Sequence, residues 1–240
     1  MHNINLVCTF HSESGKCNAD ELYKIIEHIN PDVIFEELTP NLYDILYNKN
    51  MLAESAPLEI NCIRMYKQQH TIKNIPVDIE VNSTFSENIH LAFALFKKYD
   101  ICNEIENEQK KKIEQDGFDF LNSDEYSDLV EKQRSVESRI LEDVNNNQLN
   151  KIYKSFYKDQ DCRENIMLNN IYAYSKENNY NQAVFLIGAS HRSSIIRKIA
   201  EYQLKEEIKL NWTFYSKTED IIPYLRAEIY DIVSGGIVKE

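Results

Sequence analysis

Two short apolar runs, Asn5–Thr9 and Asp32–Glu37, enclose a stretch, Ala19–Ile29, in which Leu22, Ile25, Ile26 and Ile29 recur at helical spacing. This strand–helix–strand order constrains the chain more than any other feature. A helix between two strands brings the second strand back parallel to the first, with a right-handed crossover. Local chemistry supports the boundaries: Asn18 with Glu21 three residues on is a capping-box start, and Pro31 follows as a stop.

Thr39-Pro40 opens another helix, with proline at the first helical position, where its missing N–H costs nothing. The pattern then predicts a helix over Leu58–Gln69, a third strand of alternating apolar and acidic side chains over Pro76–Val81, and a helix over Asn88–Tyr99. From about Ile101 to Lys158 the sequence becomes charged and Gln/Asn-rich, with sparse apolar residues at helical spacing, interrupted near Gly117 and at Asn145-Asn146-Asn147. It reads as a helical insertion and a candidate lid. A helix over Asp161–Asn178, a buried-type strand over Ala183–Gly188, a helix over Ser193–Leu204 and a strand over Ile208–Tyr215 follow; Thr218–Glu240 takes no assignment. The expectation is an α/β fold in one domain over residues 1–240: a central, mainly parallel sheet flanked by helices, with a helical insertion at about 101–158.

Composition excludes several classes. At 42% hydrophobic over 240 residues, the chain has the means to bury a core. Its longest apolar stretches, Leu91–Phe96 and Ala183–Ile187, fall far short of the roughly 18 residues of a membrane helix. Met1–Val7 has no basic head and enters a strand at once, so a cytoplasmic protein is expected. With Lys+Arg 27 against Asp+Glu 39, the net charge of −12 disfavours nucleic acid and anionic lipid as partners. Lys110-Lys111-Lys112 sits among Glu104, Glu106, Glu108 and Glu114 and reads as a solvated helix face. Cys8, Cys17, Cys62, Cys102 and Cys162 are odd in number and irregular in spacing, which suggests neither a disulfide framework nor a zinc motif and points to a reducing compartment.

The residues that carry chemistry form a pattern that occurs twice. Leu6-Val7-Cys8-Thr9-Phe10-His11 and Phe185-Leu186-Ile187-Gly188-Ala189-Ser190-His191 each take an apolar strand into a His, with serines just beyond. Ligands of open α/β sheets bind beyond the carboxyl ends of strands, so the two imidazoles meet if their strands are neighbours. Two further strands end in acid, at Glu36-Glu37 and at Asp78/Glu80; strand alternation lets only one of Glu36 and Glu37 enter a shared pocket. A carboxylate among Val, Ile and Phe calls for a metal, Arg or His as partner. Arg163, opening the helix before the last His-bearing strand, is the candidate clamp or oxyanion donor. His2, His28, His70 and His90 lack such a context. Phosphate loops, dinucleotide-binding turns and nucleophile elbows are absent from the sequence.

In its order of motifs the chain resembles the TraB/PrgY/Tiki superfamily, which includes erythromycin-esterase-like and ChaN-like members. The matching segments are Cys8–His11, Pro31-Asp32-Val33-Ile34-Phe35-Glu36-Glu37-Leu38, Val77–Glu80, Arg163-Glu164-Asn165 and Gly188–His191. They span most of the chain outside the insertion. The chain departs from the pattern in having Cys8 where the first motif has Gly, and one residue more between Arg163 and Asn165. The resemblance implies an active site of His and Glu, metal-dependent in Tiki-type members, with manganese or cobalt, and metal-free in esterase-like ones.

Three functions follow as expectations. The leading one is metal-assisted hydrolysis of a peptide, amide or ester bond. His11, Glu37 and His191 would be ligands of a divalent ion (Mn, Co or Zn), Glu80 a fourth ligand or general base, and Arg163 the oxyanion donor. A metal-free alternative makes His11 a general base activated by Glu37. A non-catalytic alternative has the domain bind a peptide or small molecule, with the insertion docking a partner protein or a second copy.

Overall fold

The computed structural model describes residues 2–48, 56–80 and 88–216. Five strands, β1 (Asn3–Thr9), β2 (Val33–Glu36), β3 (Lys73–Pro76), β4 (Gln182–Gly188) and β5 (Asn211–Phe214), form one sheet in the order β3-β2-β4-β1-β5, parallel throughout. Helices flank it: α1 (Ala19–Ile29), α2 (Pro40–Tyr43), α3 (Leu58–Gln69) and α4 (Ile89–Phe96), then α5 (Asp100–Asp116), α6 (Phe118–Leu121), α7 (Asp124–Val144), α8 (Asn147–Glu177) and α9 (Arg192–Lys205). The fold is α/β, and β4 is inserted between β1 and β2. No helix among the described residues is long and apolar enough to cross a membrane.

Local signals set several ends. The Asn18 side chain accepts from the Glu21 N–H, and α1 closes on Asn30 in the left-handed region at φ 48°. Thr39 accepts from the Leu42 N–H at the start of α2. The central strands β1, β2 and β4 are apolar on both faces because helices cover both, which is what a parallel sheet requires.

Two expectations are corrected. The third strand is Lys73–Pro76, not Pro76–Val81. The chain leaves the ladder after Pro76, and the Val77 and Asp78 N–H groups donate instead to the Glu36 and Leu38 carbonyls. Alternating side chains at 76–80 thus mark a segment running past the end of β2; Val81 lies outside the described residues. The helix expected over Asp161–Asn178 begins at Asn147, so α8 carries the end of the insertion directly into the Arg163 segment. The predicted breaks at Gly117 and Asn145–Asn147 do separate helices. Thr218–Glu240 lies outside the described residues.

The insertion is tied into the main core. Ile113, Phe118, Phe120, Leu121, Tyr126 and Leu129 join the cluster built on the sheet, while Phe96, Cys102, Ile140, Leu141 and Tyr153 form a separate, smaller one. Asn122, just after α6, accepts from the Cys8 N–H at 2.7 Å and donates to the Cys8 carbonyl at 3.0 Å. β5 pairs with β1 only from Asn3 to Leu6, so this amide takes the place of a strand where β5 has ended.

Candidate functional site

The carboxyl ends of the strands share one edge, with Thr9 in register with Gly188 and Glu36 with Leu186. A cleft of about 530 Å³ opens there, lined by Thr9, His11, Glu36, Glu37, Glu59 and Arg163 among others. β1 and β4 are neighbours, and that adjacency brings the two His motifs together.

His11 follows β1 with its side chain 62% exposed. Its Nδ1 lies 3.1 Å from Oε1 of Glu59, in the first turn of α3, and the Thr9 hydroxyl donates to the same oxygen. With the proton on Nδ1 facing the carboxylate, Nε2 of the neutral ring is an acceptor. The hydrogen bond to Glu59 raises the His11 pKa above its ordinary value, against the effect of burial. Burial pushes the Glu59 carboxyl up, but the bonds from His11 and Thr9 outweigh it and hold the group below the usual range.

Glu37 sits one residue beyond β2, and both of its carboxylate oxygens are engaged. Its Oε1 accepts from Arg163 Nη2 at 2.7 Å and lies 3.3 Å from His191 Nε2; its Oε2 accepts from the Gly188 N–H at 2.7 Å. Burial raises its pKa, but His191, Gly188 and Arg163 together bring it down to about 2. A Cβ on Gly188 would stand 3.2 Å from His11 Nε2 and 3.3 Å from Glu37 Oε2, so the imidazole tip and the carboxylate flank a bare Cα.

His191, in a short 3-10 turn after β4, is only 8% exposed along its side chain. Its Nδ1 is 2.6 Å from Glu164 Oε1 on α8, and Glu164 Oε2 accepts from the Ser194 hydroxyl at 2.5 Å and lies 3.2 Å from Lys198 Nζ on α9. Burial lowers the His191 pKa, but the bonds to Glu164 and Glu37 lift it to about 9, so the ring is an imidazolium at neutral pH. Arg163 is taken up by acids: Nε and Nη2 bond Asp78, Nη2 also bonds Glu37, and Nη1 bonds Gln160.

Of the residues singled out in the sequence, His11, Glu37 and Arg163 line the cleft, and His191 lies buried against Glu37 without lining it. Glu80 does not: it is exposed and accepts from the Asn41 amide at 3.2 Å, and Asp78, two residues earlier, is the acid that reaches Arg163. Arg163 faces Asp78, Glu37 and Gln160 rather than open space, so it holds the site carboxylate in place. Glu36 and Glu37 both line the cleft. The alternation rule fails because β2 ends at Glu36 and Glu37 belongs to the turn. Glu59 and Glu164, the partners of the two imidazoles, were not singled out as site residues. Glu59 looks in sequence like an ordinary first-turn acid, and the only signal for Glu164 is its place beside Arg163.

The donor set bears on a divalent ion in two ways. Both imidazoles turn Nδ1 to a buried carboxylate, the orientation ligating histidines adopt. Glu37, however, already accepts from a guanidinium and a backbone N–H and lies against an imidazolium, and a cation there would face the Arg163 charge at close range. Among the described residues, no group of three or more His, Cys, Asp or Glu side chains is arranged to hold a metal ion. As arranged, the donors fit proton sharing rather than the expected His11–Glu37–His191 ligand set. The chain matches no protein-family model, no curated protein and no solved structure.

Proposed function

We propose that the chain is a hydrolase of ester or amide bonds that works by general acid–base catalysis at His11. The observation that carries this reading is the His11–Glu59 pair: an imidazole backed by a buried carboxylate, with Nε2 beside the ionised Glu37 at the mouth of a cleft. A water donating one hydrogen to His11 Nε2 and the other to Glu37 Oε2 is oriented for attack. As its oxygen bonds the substrate carbonyl carbon, its proton passes to Nε2, and Glu59 stabilises the imidazolium. That proton then goes to the leaving oxygen or nitrogen as its bond to carbon breaks, giving a carboxylic acid and an alcohol or amine. Glu59 takes the activating place expected of Glu37, while Arg163 and His191 keep Glu37 charged. The resemblance to the TraB/PrgY/Tiki superfamily, with its metal-free esterase-like branch, supports the same reading. The free cysteines accord with a reducing, cytoplasmic setting.

The test is hydrolysis of a panel of p-nitrophenyl esters and p-nitroanilides by the purified chain in EDTA, beside His11→Ala. Turnover that survives EDTA and falls by about 10³-fold in the variant supports the proposal. Turnover that appears only with Mn, Co or Zn would overturn it in favour of a metal site on His11, Glu37 and His191. No turnover under either condition, with a peptide or small ligand raising the melting temperature, would leave a binding domain.

A further inference from the structure

The charges around the cleft do not balance. Arg163 is shared between Glu37 and Asp78, and His11 is matched by Glu59. Two lining acids remain without a cation bonded to them among the described residues. Glu36, 2% exposed, accepts among the described residues from neutral donors, the Tyr47 hydroxyl at 2.7 Å and the Asn74 amide at 2.9 Å; Lys67 Nζ bonds Asn74 rather than this carboxyl. Burial pushes Glu36 up to about 7 even so. Asp159, partly buried, stands one turn before Arg163 on α8 and lines the cleft, and its buried Oδ2 has no hydrogen-bond partner among the described residues. A buried acceptor left unpaired carries a desolvation cost that a donor on a ligand offsets. Phe156, on the same helix, joins Leu42, Pro57, Ile60 and Ile79 as apolar wall.

Resting on the hydrolytic reading, we propose that the cleft selects substrates in which a protonated amine lies next to an apolar group, with Asp159 as the counter-charge of the amine. A field of uncompensated acid draws cations and repels carboxylates, and the apolar wall takes the hydrocarbon beside the charge. An aminoacyl or peptide amino-terminal group has this chemistry.

The probes are matched pairs that differ only in the amine: leucinamide against isocaproamide for binding, and leucine p-nitroanilide against N-acetyl-leucine p-nitroanilide for turnover. Leucinamide is expected to raise the melting temperature of the full chain where isocaproamide does not, and of His11→Ala as well. Asp159→Asn, and independently Asp159→Ser, should raise KM for leucine p-nitroanilide about tenfold with little change in kcat, and erase the preference over the acetylated substrate. Equal binding of both amides, equal rates on both anilides, or a preference untouched by both Asp159 variants overturns the amine proposal and leaves the hydrolytic one standing. Asp159-dependent leucinamide binding without turnover of any anilide or ester does the reverse: the cation subsite stands and the hydrolytic reading falls.

Discussion

His11 and His191 both follow strands of the sheet, two residues after β1 and three after β4, and each gives Nδ1 to a glutamate from a helix, Glu59 or Glu164. Their surroundings differ. The first ring is 62% exposed and makes no bond from Nε2 to Glu37; the second is 8% exposed and lies against Glu37. Glu59 also takes the Thr9 hydroxyl, whereas Glu164 also takes Ser194 and lies beside Lys198. The same pairing of Nδ1 with a glutamate thus yields a ring free to take up and release a proton and a ring locked as a fixed cation. What separates them is how many buried groups close over each.

The comparison is broken most severely by His191→Ala. Removing the buried cation leaves Glu37 and Glu164 short of a partner, and we expect a loss of about 3 kcal/mol in urea unfolding together with loss of turnover. His11→Ala should cost less, about 1 kcal/mol in unfolding, because it leaves the buried Glu59 with the Thr9 hydroxyl still donating, while hydrolysis falls about 10³-fold. If both variants unfold alike, the asymmetry is not real. Gly188→Ala puts a methyl 3.2 Å from His11 Nε2 and 3.3 Å from Glu37 Oε2, and should cost roughly 10²-fold in kcat through misplacement of the ring.

The smallest effects sharpen the contrast through pH. His191 has a folded pKa of about 9 against an ordinary 6.5, so its stabilising contribution is complete below pH 6.5 and is lost as pH rises through about 9. Glu37, lowered to about 2 from 4.5, contributes above pH 4.5 and loses that contribution as pH falls through about 2. Unfolding free energy should therefore decline from pH 6.5 to 9, and His191→Gln should flatten that decline. For activity, His11 must be neutral, so kcat/KM should rise with pH through a pKa above 6.5. Glu59→Gln should move this rise to lower pH while reducing the plateau rate.

Much of this was legible in the chain because it is written locally. Ala19–Ile29 and Leu58–Gln69 run between the residues predicted, since spacing, caps and breakers act within a turn or two. The convergence of His11 with His191 followed from one added rule, that ligands gather beyond strand ends, once β1 and β4 proved adjacent. What escaped depends on how distant elements cross. That Glu59 rather than Glu37 backs His11 follows from where α3 lies against the end of β1, and nothing near Glu59 encodes it. The choice of Asp78 over Glu80 turned on the chain leaving the sheet at Pro76, an event that an alternating pattern conceals.

The bond pair between Asn122 and the Cys8 peptide has a consequence for engineering. A minimal version trimmed of residues 101–146 and bridged by a short linker would retain all five strands. It would also strip the Asn122 amide from the flank of β1, three positions upstream of His11. That bare flank is a template for pairing with another chain. Such a miniature is expected to associate through β1 and lose the placement of His11, so the helices are better regarded as scaffolding than as an accessory.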